Sequence, residues 1–396
     1  MLSTLFPNSA QPNFGVFVEA QTLALAARPD VELRVVNPLA VPPHPLSLHP
    51  RYRPLRDLPL EEEWKGLRVA RPRMRVLPGL SGPLNPWLLA RAVRPLLAAW
   101  RRDGFAFDVL DAQFFYPDGP AAIWLARELG VPCSIKARGA DIHHWGRGAI
   151  TGPMIRRAGL AADGLLAVSA SLARDMAALG MPAGKVTVHY TGCDLTRFRP
   201  RPRGPLKAAL GVRGPLVVSL GALIPRKGHA LVIQAMRHLP EATLLVAGGG
   251  PEHGRLQALI RAQGLEGRVR LLGNVAHGEL PALLAAADVM ALASASEGLA
   301  NAWIEAMACG TPVVAPKVDG AAEALDRPAA GRLLDERSPA VIAAAIRSIL
   351  ADPPSPAEVR AVAGRFTWPR NAALLHAHLA GLGAVAPAQA AEALLA

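Results

Sequence analysis

Cysteine is scarce in this chain of 396 residues: there are three, Cys133, Cys193 and Cys309, far apart and without paired metal-ligand spacing. An odd, scattered set excludes a disulfide framework or a zinc module and reads as reduced structural thiols in a cytoplasmic protein. No apolar run reaches the roughly 18–20 residues that a membrane-spanning helix requires. The stretch Met1 to Val18 lacks a basic start and is interrupted by Pro7, Asn8, Gln11 and Asn13, so no secretory leader is expected. Asp-x-Asp occurs nowhere, and His143-His144 lacks a carboxylate at ligand spacing, so no metal site is expected. Aromatic residues make up only 5%.

Acidic residues are also in the minority, 31 Asp and Glu against 43 Lys and Arg, for a net charge of +12. The excess gathers between Arg51 and Arg102, where Arg53, Arg56, Lys65, Arg68, Arg71, Arg73, Arg75, Arg91, Arg94 and Arg101 meet few acids. Such a stretch is either a solvated Arg-rich surface or a face for an anionic membrane or phosphorylated substrate. No nucleic-acid motif or aromatic stacking pattern accompanies it, so nucleic acid is not an expected partner. Half the residues (51%) are hydrophobic, a globular composition, and the length predicts two domains.

Both halves alternate short apolar runs with helical spacing. The first half predicts strands at Leu2–Phe6, Glu32–Val36, Val109–Ala112, Ser134–Ala137, Leu165–Val168 and Val186–His189. The second predicts strands at Leu216–Leu220, Thr243–Ala247, Val269–Leu272, Val289–Ala293 and Pro312–Ala315, separated by helices. Alternation of this kind implies parallel sheets covered on both faces, with ligands at the carboxyl ends of the strands. The expected fold is therefore α/β: two doubly wound Rossmann-like domains with an interdomain cleft. The boundary is placed in the Pro-rich segment Arg199–Pro205, which gives domains at 1–198 and 199–364. Residues 365–396 are expected to form a helical segment packing back on the first domain, with a weakly ordered Pro/Ala-rich tail after Leu382.

Two segments carry the chemistry. In SASEGLANAWIEAMACGTPVVAP, Ser294 to Pro316, a strand ends, Glu297 occupies a loop, and a helix carries Glu305. The small residues around Gly298, Leu299 and Ala300 let backbone N–H groups approach a ligand. The helix start behind them adds partial positive charge, a place for a diphosphate. The two carboxylates, eight residues apart, suit separate hydroxyl-bearing parts of one ligand. In SLGALIPRKGH, Ser219 to His229, Arg226 and Lys227 open a helix, where the dipole disfavours cations unless an anion joins them. GGGPEHG, Gly248 to Gly254, does not match the dinucleotide fingerprint spacing. Asp118 in YPDG reads as a turn or cap residue, with acceptor contact as the alternative.

These segments resemble glycosyltransferase family 4, the retaining GT-B enzymes that use nucleotide sugars. The resemblance runs through FPNSAQPNFGVFVEAQ, YPDG, ARGADI, YTGCDLTRFRP, GALIPRKGH, VAGGGPEHGRL, LLGNV and EGLANAWIEAMACGTPVVA, in family order over nearly the whole chain. It implies that Glu297 contacts the donor sugar and Glu305 the ribose. Lys227, with Arg226, would hold the diphosphate, and Gly298, Leu299, Ala300 and Asn301 would supply amides. Gly273, Asn274 and Val275 would lie beside the base, and Gly15 would form a loop toward the phosphates. Arg138 and Asp141 of ARGADI join Glu297 as catalytic candidates. No cofactor is implied beyond the nucleotide diphosphate sugar as substrate, and no metal. The implied partner is a glycan or lipid-linked acceptor, as in exopolysaccharide or lipopolysaccharide synthesis, at the inner face of the cytoplasmic membrane.

The chain departs from the family pattern at three places. Ala222 stands where many members have Arg, Arg138 where many have His, and Asp111-Ala112-Gln113 where His-x-His is common. Arg138 offers hydrogen bonds to a sugar or a departing phosphate but cannot act as a base. Two alternatives stay open: a non-catalytic donor-binding partner subunit, which Ala222 and Arg138 allow, and a same-fold sugar-nucleotide epimerase or sugar-phosphate synthase.

Overall fold

The computed structural model describes the backbone of residues 1–393 and the side chains of residues 1–383. The chain divides into two units, residues 1–190 with the chain from 368 onward, and residues 191–367. The division falls between Tyr190 and Thr191, a few residues ahead of the Pro-rich stretch Arg199–Pro205. That stretch opens a helix, Arg203–Ala209, because Pro205 sits in the first turn, where its missing N–H breaks no intrahelical bond. The long helix Trp368–Ala393 belongs to the first unit, where Leu375 packs with Leu25 and Leu166. From residue 384 on, the side chains of the expected weakly ordered tail lie outside the described residues.

In the first unit, two sheets are joined through one residue. Leu2 bridges Val36 on one side and Ala112 on the other, both in parallel. Its N–H donates to the Asp111 carbonyl at 2.8 Å, and Gln113 donates back to the Leu2 carbonyl at 3.0 Å. On one side lie Arg34–Val36, Leu67–Ala70 and Glu61–Trp64; on the other, Leu110–Ala112, Cys133–Ala137, Gly164–Ala167 and Val186–Val188. The expected strand Leu2–Phe6 is cut short because side chains capture the backbone after Ser3. Ser3 Oγ accepts from Leu5 N–H, and the Asp118 carboxylate takes the Thr4 N–H. Cys133–Ala137 and Gly164–Ala167 are buried at every position, as parallel strands covered on both faces must be. Glu61–Trp64 and Leu67–Ala70 form the antiparallel exception, a hairpin closed by Lys65-Gly66 with φ of 53° and 82°. Two positive φ values give the turn the twist a two-residue hairpin needs.

The second unit has one parallel sheet in the order Val269–Gly273, Thr243–Ala247, Leu216–Leu220, Val289–Ala291, Val313–Pro316, Gly331–Leu334. Strand progression starts at Leu216–Leu220, runs outward for three strands, then reverses to its other side at Val289–Ala291. Val217, Leu244, Val246, Val289, Ala291 and Val314 form its core with Val232, Ile342 and Ile346 from the covering helices. Helix Pro339–Ala351 starts where Ser338 Oγ accepts from Val341 N–H, with Pro339 in the first turn. Helix Pro356–Ala363 opens with a reciprocal Ser355–Glu358 capping box.

Close backbone approach sets the carboxyl edge of this sheet. Gly248, at φ 147°, lies so near the Gly221 carbonyl that a Cβ would overlap its oxygen. The Gly248 N–H donates to the Gly273 carbonyl at 2.8 Å, and Leu223 donates to Gly249 at 2.9 Å. Gly248→Ala is expected to cost about 2–4 kcal/mol in chemical denaturation. Gly254→Ala, in a helix with open space around it, should gain about 0.5–1 kcal/mol. Equal midpoints for the two variants would refute this account of the edge.

Candidate active site

In an open parallel sheet, ligands bind beyond the carboxyl ends of strands where the order reverses. Here that point lies between Leu216–Leu220 and Val289–Ala291, and the loops that follow them carry both segments singled out in the sequence. Ala295 N–H donates to the Arg226 carbonyl at 2.7 Å, tying one loop to the other. Arg337, which belongs to no motif, anchors the second loop through the Ala293 carbonyl, at 2.9 and 3.1 Å.

Glu297 sits at the centre, only 7% exposed. Lys227 Nζ and Ser294 Oγ both donate to Oε1 at 2.6 Å, and Arg226 Nη1 lies 3.5 Å from Oε2 while donating to the Ser296 carbonyl. Asp319, a further residue missed from sequence, accepts the Glu297 backbone N–H at 2.7 Å from a loop position with φ 38°. Arg226, Lys227 and Glu297 thus meet directly. Gly298, Leu299 and Ala300 are buried and lead into helix Asn301–Ala308, whose cap position Ala300 offers no side-chain acceptor. Its first-turn N–H groups therefore have no side-chain cap, as an anion site requires.

Glu305 lies about one turn inside that helix, its Oε1 3.2 Å from His277 Nε2. The His277 ring tilts against Phe198 at 5.6 Å between centroids. Gly273 ends the edge strand, Asn274 lies exposed beside Gly249, and Val275 is half-buried. His229 is fully buried beneath the Gly221 turn, with Ser219 Oγ at 2.9 Å from Nδ1. Burial lowers its pKa to about 4, so the imidazole is neutral at physiological pH.

The remaining candidates belong to the first unit. Gly15 precedes helix Val16–Ala26, packed so closely on the Leu5 backbone that a Cβ would come within 2.6 Å. Arg138 follows strand Cys133–Ala137; its guanidinium lies 4.9 Å from the Phe17 ring centre, and burial lowers its pKa to about 10, leaving it charged. Asp141 is fully buried, and its carboxylate accepts the N–H groups of Phe115, Arg138, Gly139 and Ile142. Both oxygens are occupied by backbone, so Asp141 shapes the turn that carries Arg138 and is not presented to a ligand. Asp118 opens helix Asp118–Leu129 fully buried, receiving the Thr4 N–H at 2.9 Å and the Thr4 hydroxyl at 2.8 Å. Its carboxylate is thus a structural clamp. His143 pairs with Asp175 at 3.0 Å, while His144 meets the edge of Trp145.

Two Rossmann-like units, one with a basic pair, a buried glutamate and an uncapped helix start at its switch point, define the class as GT-B nucleotide-sugar enzymes. The family model described as Glycosyltransferase Family 4 matches residues 18–197, and that described as Glycosyl transferases group 1 matches residues 206–365. The chain is 31% identical over 272 residues to a GDP-mannose-dependent alpha-(1-6)-phosphatidylinositol monomannoside mannosyltransferase of Mycolicibacterium smegmatis, covering 65% of this chain and 71% of that protein. It is 34% identical over 210 residues to a D-inositol 3-phosphate glycosyltransferase of Rhodococcus jostii, spanning 49% of this chain and 46% of that protein. Among solved structures, HepE of Anabaena in complex with UDP superposes with a TM-score of 0.75 at 22% identity, over 96% of this chain and 99% of that one. Sucrose-phosphate synthase of Thermosynechococcus elongatus gives 0.76 at 21%, over 94% of each chain. The chain belongs to glycosyltransferase family 4, and it is a glycosyltransferase acting on a nucleotide sugar.

Burial raises the Asp118 pKa to about 7. Between about pH 4 and that value, the folded state keeps a proton that the unfolded chain has released. Stability therefore falls as pH rises through this window and levels off above it. Asp118→Asn removes this slope, so its melting temperature should gain on the wild type from pH 5 to pH 8. A gap independent of pH would refute the assignment.

Proposed function

We propose that the protein is a retaining, metal-independent glycosyltransferase that passes a sugar from a nucleotide diphosphate to a glycan or lipid-linked acceptor. The contact of Lys227 and Arg226 with Glu297, beside the uncapped start of Asn301–Ala308, carries this reading. An entering diphosphate takes the two cations and the helix amides, with Gly15 contributing to the phosphate loop. Glu297, relieved of its cations, turns its acceptor oxygens to the sugar hydroxyls. Glu305, steadied by His277, takes the ribose, and Gly273, Asn274 and Val275 border the base. The bond between the anomeric carbon and the diphosphate breaks as an oxocarbenium-like centre develops. The acceptor oxygen bonds to the anomeric carbon on the face the diphosphate leaves, and its proton passes to a phosphate oxygen. Fixed positive charge at the leaving group is the dominant contribution. Arg138 adds hydrogen bonds to the sugar or departing phosphate, and Asp141 holds its turn.

The acceptor reading rests on the first unit's surface and on the relatives, one of which is named as a phosphatidylinositol monomannoside mannosyltransferase. Leu77, Leu80, Leu84 and Trp87 are between 47% and 78% exposed, beside exposed Arg75 and Arg91, whose guanidinium lies 5.5 Å from the Trp87 ring centre. Apolar side chains interleaved with arginine suit an anionic bilayer surface. No helix among the described residues is long and apolar enough to cross a membrane. An anionic lipid-linked acceptor of cell-envelope or exopolysaccharide synthesis fits this surface.

Nucleotide release from UDP-, GDP- and ADP-sugars with EDTA present identifies the donor. Loss of all turnover under EDTA would refute metal independence. Glu297→Ala should lower turnover at least about 100-fold while the protein stays folded; wild-type turnover would refute the site. In flotation, vesicles containing anionic lipid should carry the protein, and a Leu80→Ser, Leu84→Ser, Trp87→Ser variant should stay behind. Equal flotation on neutral vesicles would remove the membrane reading.

A further inference from the structure

The two departures from the family pattern in the first unit touch each other. Arg138 Nε donates to the Gln113 backbone carbonyl at 2.7 Å, and Nη2 donates to Gln113 Oε1 at 2.6 Å. The same Oε1 accepts from Gln21 Nε2 at 2.6 Å, and Gln113 Nε2 donates to Asp111. Gln21 Oε1 accepts from Lys136 Nζ at 2.7 Å, and Lys136 also meets His189 Nδ1 at 2.7 Å. His189 Nε2 lies 2.8 Å from the Asn371 carbonyl. Gln21, Gln113, Lys136 and His189 are each at most 1% exposed.

Donor and acceptor roles run through this chain in one direction. A guanidinium only donates, so Gln113 must present its oxygen to Arg138 and Gln21, and Gln21 in turn gives its nitrogen to Gln113 and its oxygen to Lys136 Nζ. Asp111, the remaining neighbour, accepts from the Gln113 nitrogen. On the other branch, His189 accepts at Nδ1 and so carries its proton on Nε2, facing the Asn371 carbonyl. Burial and the neighbouring Lys136 lower the His189 pKa to about 2, consistent with a neutral ring. The guanidinium is gripped at Nε and Nη2 and lies over Phe17, while its Nη1 has no hydrogen-bond partner among the described residues.

We propose that Gln113 is a positioning residue for the transfer reaction: it aims the Arg138 guanidinium, with its own nitrogen anchored on Asp111 and its oxygen backed by Gln21. A histidine at 138 would have no use for two acceptors on one residue, whereas a planar guanidinium fork does. The departures at 113 and 138 are therefore one device. This rests on the reading that Arg138 serves the reaction.

The test is a double-mutant cycle with Gln113→Leu and Arg138→Lys, read as kcat and KM for the best donor of the panel above, with melting temperatures alongside. Arg138→Lys keeps the charge and loses the fork. Gln113→Leu is expected to lower kcat about 10- to 100-fold with donor KM within about threefold. In the Arg138→Lys background, the same change should alter kcat less than about threefold. Equal losses in both backgrounds would reveal a merely structural role and overturn the proposal. So would wild-type kcat in Gln113→Leu while Arg138→Lys is impaired, which leaves the Arg138 reading standing. Wild-type kcat in Arg138→Lys overturns both. If Gln113→Leu does not fold, Gln113→Asn replaces it in the cycle. It keeps the amide but draws the oxygen back from the guanidinium, so kcat should fall with Arg138 present and stay level in the Arg138→Lys background. Equal effects in the two backgrounds overturn the proposal.

Discussion

One buried carboxylate organises the second unit's site. Glu297 is shielded from water and has two cations and a hydroxyl directed at it. A carboxylate in such a place is tolerable only while its oxygens are satisfied, because an unpaired buried charge costs several kcal/mol. That constraint explains the scaffolding around it. Arg337 fixes the Ala293 carbonyl, Asp319 takes the Glu297 N–H, and Arg226 bonds the backbone at both Ser296 and Ala295. None of these touches only solvent; each holds the loop that presents the carboxylate. The reversal of strand order supplies the place, since it is the one point in the sheet where two successive loops diverge and leave a crevice.

The second unit was largely legible because its local signals agree with one another. Leu216–Leu220 and Thr243–Ala247 begin and end at the residues expected, being short apolar runs between Gly and Pro. The Arg226-Lys227 and Glu297 segments lie 70 residues apart, yet the alternation of strand and helix requires both to emerge at the same sheet edge. What could not be read was support from distant chain. His277, Arg337 and Asp319 carry no motif, and their relevance is visible only once their partners are in place. The strand Gly331–Leu334 and the two capped helices after it were missed, although Ser338-Pro339 and Ser355-Pro356 are recognisable helix starts.

The first unit was less legible, for a different reason. Net charge along a sequence says nothing about where charges point. Of the arginines between 51 and 102, Arg71 is wholly buried against Glu62, Asn37 and the Pro7 carbonyl, and Arg73 binds backbone carbonyls. Arg94 pairs with Glu128 and Arg101 reaches the Leu129 carbonyl. The basic stretch is thus partly internal wiring, and only a part, including Arg75 and Arg91, remains as exposed surface. The hairpin around Lys65-Gly66 escaped because a Lys at positive φ is an uncommon choice for the first turn position. Asp118 was read as a turn or cap residue and Asp141 as a catalytic candidate; both carboxylates accept backbone N–H groups, and a conspicuous acid is as readily a clamp for backbone as a group for substrate.

On the proposed reading, the Glu297 ion pairs also bear on which ligands the site prefers. A diphosphate competes with Glu297 for Lys227 and Arg226, and two phosphates outweigh one carboxylate in Coulomb attraction. Capture of both cations would strand the carboxylate, leaving Ser294 Oγ as its side-chain donor. Sugar hydroxyls can replace the lost donors, whereas a bare nucleoside diphosphate brings none to that position. The carboxylate therefore penalises the product nucleotide relative to the intact donor, by the difference between a satisfied and a partly satisfied buried acid. Hydrogen bonds to charged groups contribute about 1.5–3 kcal/mol each, enough for one such bond to shift relative affinity by roughly ten- to a hundredfold. On that reading, the same pairing that satisfies the carboxylate before a donor arrives would favour release of the spent nucleotide through an exchange of hydrogen-bond partners.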